Sequence, residues 1–212
     1  ATLAGSAIEP PARDIQMAFA SNGDSLQVTV SWAAQLSDEV LAIMWGDQSN
    51  EAFARGGCFA ACHNDMAGMS RDSGRVEQKY LGISREQQRQ IGQPAIVRSD
   101  EELARLIKEG QYSEIWRLDL QSGELETAMV LADTPWQSSN LIEINASADS
   151  GERTVVFTRV LGNTDTGIEF SRGKKYTFGV ALSGADNPGA KHWVSLPLTL
   201  SFGGNDTDFT AE

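Results

Sequence analysis

Cysteine and histidine are scarce in this chain, two of each among 212 residues. That leaves room for at most one disulfide, and it starves a structural zinc site, which wants four Cys or His donors; there is no second C-x-x-C pair. Basic side chains are also few. With 17 Lys and Arg against 29 Asp and Glu the net charge is -12, which opposes nucleic acid and anionic lipid and favours a partner with a basic docking face, held less tightly as salt rises. The same acidity also serves solubility. Long apolar runs are missing: the longest is Val40 to Trp45, far short of the about 20 residues that a helix needs to cross a bilayer, so no direct membrane insertion is expected. No charged-then-apolar targeting segment heads the sequence, and the start at Ala1 is compatible with removal of one by processing. No shift in composition divides the chain, and 41% hydrophobic content is enough for one core. One domain is therefore expected over 13–212, preceded by an N-terminal arm or linker over 1–12 that carries Pro10 and Pro11.

Both cysteines and one histidine fall within six residues, Cys58-Phe59-Ala60-Ala61-Cys62-His63. Covalent haem attachment uses C-x-x-C-H, in which two thiols add across the porphyrin vinyls and the adjacent imidazole binds iron. C-x-x-x-C-H is a rarer variant of that attachment: one residue lengthens the loop between the thioethers while the histidine stays beside the second cysteine. A single covalent c-type haem is the leading expectation. A local disulfide is the next reading, since a four-residue step in a helix brings two thiols within reach, although so small a loop stabilises little. Zinc ranks below it. A thiol redox motif is weaker still, because no thioredoxin-like alternation of strand and helix surrounds the pair.

Elsewhere the hydrophobic period is two. Ile15, Met17 and Phe19, then Leu26, Val28, Val30 and Trp32, predict a hairpin across Asn22-Gly23-Asp24. Val40 to Trp45 reads as a strand buried on both faces. Alternation returns over Ile115 to Leu120, Thr127 to Leu131, Leu141 to Ala146, Thr154 to Val160, Lys175 to Leu182 and Trp193 to Phe202, for about nine strands in all. Two helices have signals. Ser99 and Glu102 form a capping box before Leu103, Leu106 and Ile107, with Gly110 as the stop, and Ser84 with Gln87 suggests a shorter helix ending near Gly92. The pattern predicts a mostly β protein, an antiparallel β-sandwich with one or two short helices, and it sets the thiol motif in a long loop from Gly46 to Val97.

His63 accounts for one side of a haem iron. For the other, His192 opens the last predicted strand, and Met69, with Met66 nearby, is the alternative distal ligand. Read blandly, His192 is a surface imidazole and the methionines fill gaps. Phe59, Trp116 and Trp193 are candidate pocket walls, and Arg55, Arg71 and Lys79 candidate partners for propionates.

The stretch GGCFAACHNDMAGM (56–69), with IWRLDL (115–120), TVVFTRVL (154–161), KKYTFGVAL and KHWVSLPLTL in that order, resembles a known family. It is the haem-binding domain of the ethylbenzene dehydrogenase gamma subunit, of related type II dimethylsulfoxide reductase family subunits, and of certain periplasmic c-type cytochromes. The likeness runs from about Asp14 to Phe202; the thiol motif is specific, the strand motifs individually weak. It implies a β-sandwich with the haem at one end. In the dehydrogenase subunits the haem is b-type, with methionine and a last-strand lysine as axial ligands; His192, or less readily Lys191, stands where that lysine falls. The thiol motif sets this chain with the covalent branch. The function so expected is that of an exported, periplasmic monohaem cytochrome c transferring electrons to or from a redox partner, with no enzymatic activity of its own. The alternatives are a haem-based sensor or ligand-binding module, and a noncatalytic haem subunit of a molybdenum oxidoreductase. No catalytic triad competes, since Asp100, Glu101 and Glu102 belong to a helix start and no histidine is spare.

Overall fold

The hairpin at the front of the chain forms as its alternation requires. The computed structural model describes residues 13–34, 39–57, 86–87, 96–130, 137–138, 141–149, 151–162, 167–184, 192–204 and 206–212. In it β1 (Ile15–Ser21) pairs antiparallel with β2 (Ser25–Ala33), from Ile15 opposite Trp32 to Ser21 opposite Leu26. Asn22 closes the turn by accepting at Oδ1 from the N–H groups of Asp24 and Ser25, at 3.0 and 2.8 Å. Gly23 takes a φ of +95°, a conformation costly for any residue with a Cβ. β2 pairs next with β10 (Glu152–Val160), and β10 with β9 (Ile142–Asp149), completing a four-stranded antiparallel sheet.

The second sheet is built around β3 (Glu39–Asp47), which is flanked by β6 (Ser113–Asp119) and β11 (Lys175–Gly184). Beyond β6 lie β7 (Leu125–Val130) and β8 (Gln137–Ser138). Beyond β11 lie β12 (His192–Val194) and β13 (Leu198–Phe202), and β13 pairs in parallel with β14 (Phe209–Ala211), making eight strands. β3 is buried on both faces, as its unbroken apolar run requires: Leu41, Ile43 and Trp45 point to the inter-sheet core, while Val40 and Met44, each 4% exposed, occupy the reverse.

The sheets pack face to face as a sandwich. Leu26, Val28, Val30, Val155 and Phe157 of the smaller sheet meet Leu41, Ile43, Trp45, Trp116, Leu118, Phe178 and Val180 of the larger one. Aromatic rings fill the middle, with Trp45 centred 5.1 Å from Trp116, 5.0 Å from Phe178 and 5.2 Å from Phe170. At one corner the sheets are stitched together: Ser21 N–H donates to the Glu212 carbonyl at 2.8 Å and Phe19 lies 5.0 Å from Phe209. That covers the free edge of β1.

Three sequence expectations need correction. Trp193 to Phe202 is two strands, because Pro197 has no N–H to give the ladder; β12 and β13 therefore follow the same side of β11 with a break between them. Glu86 and Gln87, expected in a short helix, instead form β4 (Glu86–Gln87), pairing with β5 (Ile96–Val97). The second helix lies elsewhere, as α1 (Glu51–Gly56), capped by Asn50, whose Oδ1 accepts from Phe53 N–H at 3.1 Å. The helix expected after Ser99 is present as α2 (Asp100–Lys108), with the Ser99 hydroxyl accepting from Glu102 N–H at 3.3 Å. Gly110, at φ +75°, stops the chain beyond it.

Candidate functional site

Cys58, Phe59, Cys62, His63, Met66, Met69, Arg71, Lys79, Lys191 and the arm over 1–12 lie outside the described residues, and of His192 only the backbone is described. The described residues do fix the ground on either side of the thiol motif. On the N-terminal side that ground is α1, a single amphipathic turn and a half whose Phe53 is 1% exposed. Phe53 presses on Gly46 of β3, where any Cβ would be closer to its ring than van der Waals contact allows. Gly46 belongs to the row Val40, Ala42, Met44 and Gly46, which faces away from the sandwich core. Hence α1 sits on the outer face of the large sheet. Asn50 ties it to β6 through Nδ2, which donates to the Tyr112 carbonyl at 3.3 Å, and Ser49 and Gln111 join its leading loop to the end of α2.

The helix ends in Gly56 and Gly57, directly before Cys58. Gly57 N–H caps the helix on the Phe53 carbonyl, and the residue adopts φ +54° and ψ -140°, a region open in practice to glycine. It is buried, and a Cβ placed on it would lie 3.2 Å from the N, Cα and Cβ atoms of Pro197. The residue that precedes the thiol motif in sequence therefore lies against the break between β12 and β13.

That break is five residues beyond His192. In β12 the register sets Val194 opposite Ala181, Trp193 opposite Leu182 and His192 opposite Ser183. Directly paired residues share a face, and Leu182 belongs to the core, so Trp193 is on the core row and His192 on the outer row with Ser183 and Ala181. Between α1 and this row the floor is small: Ala42 and Ala181 face one another, next to Gly179 opposite Met44. Two segments far apart in sequence, the lead into Cys58 and the strand bearing His192, thus meet on one face. The interior of the sandwich is filled by the aromatic core.

Behind His192 the fold is rigidly held. The Arg13 guanidinium stands 4.9 Å over the Trp193 ring and donates to the Ala33 carbonyl at 2.9 Å. Its other partner is Glu39, a fully buried carboxylate 2.6 Å away that also accepts from the Trp32 indole at 3.0 Å. Glu39 opposes Gly184 one pair beyond Ser183 and falls on the core row, the face opposite the row of Ser183 and Ala181.

The other proposed neighbours fall elsewhere. Trp116 is fully buried between the sheets, its indole donating to Glu114 at 2.7 Å, and Trp193 packs on the core side; strand alternation separates both from the His192 row. Arg55 is exposed and pairs with Glu51 at 3.2 Å. Gly57, Ser195 and Pro197 were not singled out by sequence reasoning. Asn50, followed by Glu51 and Arg55 four apart and then by Gly56-Gly57, was the available signal for a capped, terminated helix before the motif. Among the described residues no cluster of three His, Cys, Asp or Glu could hold a metal ion, and no helix is long and apolar enough to cross a membrane.

No family model matches the chain, and no curated protein matches it. Among solved structures it is similar to a candidate carbohydrate-binding protein from Bacteroides uniformis, at 6% identity and a TM-score of 0.42, covering 93% of this chain and 73% of that one. So low a score carries no argument about function. The likeness to the dehydrogenase gamma subunits rests on the motifs quoted above.

Proposed function

We propose that this protein is an exported, periplasmic monohaem cytochrome c that carries electrons to or from a redox partner with a basic docking face. The observation that supports this reading above all is the C-x-x-x-C-H motif, preceded by Gly57, which lies against Pro197, five residues beyond His192 in sequence. Cys58 and Cys62 would hold the porphyrin through thioethers, and His63 and His192 would bind iron, with Met69 as the alternative to His192. Bound haem supplies one-electron exchange at its iron; every other task falls to the chain. His63 and His192 set the potential, lower than a methionine in the second position would give. The Arg13–Glu39 pair and Trp193 keep β12 in place from the core side.

A denaturing gel stained for haem peroxidase, with intact mass, tests the reading on protein expressed with a haem-attachment system. A stained band with the mass of one added haem is expected. A colourless chain weighing only its amino acids refutes it. His63→Ala should abolish normal iron ligation. His192→Ala should leave the haem attached but change its spectrum and potential, and an unchanged spectrum there moves the second ligand to Met69. Prompt carbon monoxide binding to the reduced wild type would favour a sensor over an electron carrier.

A further inference from the structure

We propose that β9 is an open sheet edge at which an extended segment of a partner protein adds as a fifth strand, the segment alternating apolar residues with residues that include Lys or Arg. The proposal goes beyond the cytochrome reading and holds whether or not haem is bound.

The two sheets end in β1 and β9 on the smaller side and in β8 and β14 on the larger. β8 is two residues long and β14 three, and the edge of β1 is covered at the Glu212 carbonyl. β9 runs for eight residues, and among the described residues no strand pairs with its far side. The ladder fixes which of its backbone groups face that side. Val160 N–H donates to the Leu141 carbonyl at 3.2 Å, so these two form a hydrogen-bonded pair, and antiparallel alternation then gives Glu143, Asn145 and Ser147 to β10. Ile144, Ala146 and Ala148 therefore direct their N–H and C=O groups into the open edge. Edge strands are commonly guarded by Pro, Lys or a bulge. β9 contains no Pro and no Lys, and its register runs unbroken from Ile142 opposite Arg159 to Asp149 opposite Glu152. Ala146, Ser147 and Ala148 are small and exposed.

The two rows of β9 set the chemistry of the incoming strand. Ile144 and Ala146 lie on the core row, opposite Phe157 and Val155, and apolar residues on an added strand would extend that row. The outer row carries Glu143, Asp149 and, opposite the latter, Glu152, with no Lys or Arg among its β9 and β10 members. In a chain of net charge -12 that row favours a cationic segment and disfavours a second copy of the same strand. Strand addition takes its affinity from main-chain bonds and its specificity from alternate side chains.

The probe is the capped peptide Lys-Val-Thr-Val-Thr-Val-Lys, which matches both rows of β9 in either direction, with a scrambled peptide of the same composition as control. Titration of the whole chain should show binding of the alternating peptide about tenfold tighter than of the scrambled one, weakening as salt rises. Amide hydrogen exchange supplies the sharper reading. In the free protein the Ile144, Ala146 and Ala148 amides should exchange fast and those of Glu143, Asn145 and Ser147 slowly; saturating peptide should slow the first set about tenfold and leave the second nearly unchanged. Ala146→Pro removes one outward N–H and no bond to β10, so it should weaken binding about tenfold. If that variant does not fold, the alternation of protection in the wild type decides alone. Equal binding of the scrambled peptide, or binding that leaves the Ile144, Ala146 and Ala148 amides fast, overturns the proposal. So does protection of those amides without peptide: protection that grows with protein concentration, beside a dimer in sedimentation, makes a second copy the occupant, and protection in a monomer means that the chain covers its own edge. None of these results bears on the haem, which the mass of the chain reports separately.

Discussion

Arg159 and Glu114 form a bidentate ion pair inside the sandwich, and cutting it gives a stability loss of calculable size. Arg159 is fully buried and Glu114 is 3% exposed. The Glu114 carboxylate accepts four hydrogen bonds: from Ile168 N–H at 2.6 Å, the Trp116 indole at 2.7 Å, Arg159 Nε at 3.2 Å and Arg159 Nη2 at 3.3 Å. Arg159→Met keeps the aliphatic stem and removes two of those donors together with the positive charge, in a site that water does not reach. Removing one member of a buried pair costs about 3–5 kcal/mol, chiefly the penalty of the uncompensated charge left behind. In a domain of this size 1 kcal/mol moves Tm by about 2–4 °C, so the loss should be about 6–20 °C. Glu114→Gln strands the guanidinium instead and should fall in the same range. The double variant should lose about 1–3 kcal/mol less than the two single losses combined, since no lone charge survives. Urea unfolding followed by tryptophan fluorescence measures all three, with the m-value as a check that the transition is unchanged in kind. A loss below about 1 kcal/mol for Arg159→Met, or additive single losses, would refute the claim that this pair is structurally committed.

Gly46→Ala should destabilise by about 1–3 kcal/mol, because its methyl group collides with the Phe53 ring, and it should cost much less in a Phe53→Ala background, as a double-mutant cycle in urea would show. Tyr112 gives a pH dependence. Burial first, then the carboxylates of Glu114, Asp47 and Glu169, raise its phenol above the usual 10.0. The folded state thus keeps its proton after the unfolded chain has lost it, and the corresponding stability, full below pH 10, declines as pH rises through the raised value. Tyr112→Phe also loses the bond to the Gly167 carbonyl at 3.2 Å, yet the fall in unfolding free energy between pH 9.5 and 11.5 should be shallower than in wild type. An equal slope would dissociate that alkaline loss from Tyr112.

The sandwich was legible because its signals are local. Each half-buried strand must alternate, so Leu26 to Trp32 and Thr154 to Val160 announce themselves, and β3, covered on both faces, announces itself by not alternating. The capping pattern of Ser99 was equally local. What escaped were features decided by partners far away in sequence. β14 is three residues long and earns its place only beside β13 and β1, through Phe209 against Phe19 and the Glu212 carbonyl on Ser21. β4 and β5 have no period to read in two residues each, and Glu86 with Gln87 suits a helix as well as a ladder until Ile96 and Val97 lie alongside.

The candidate site divides along the same line. The C-x-x-x-C-H motif of Cys58, Cys62 and His63 is written in adjacent residues, whereas the face on which His192 falls depends on which row of β12 it occupies. Sequence proximity made His192 and Trp193 neighbours in one imagined pocket; the pleat sets successive residues on opposite faces, so the register that sends Trp193 to Arg13 and the core sends His192 to the row shared by Ser183 and Ala181. A slip of one residue in β12 would exchange the two and carry His192 to the face away from α1. The clamp of Ser195 on Val180, together with Arg13 over Trp193, is what forbids that slip. The register of β12, and with it the row on which the His192 backbone falls, is thus specified by contacts that Ser195 and Arg13 make with Val180 and Trp193 rather than with His192 itself.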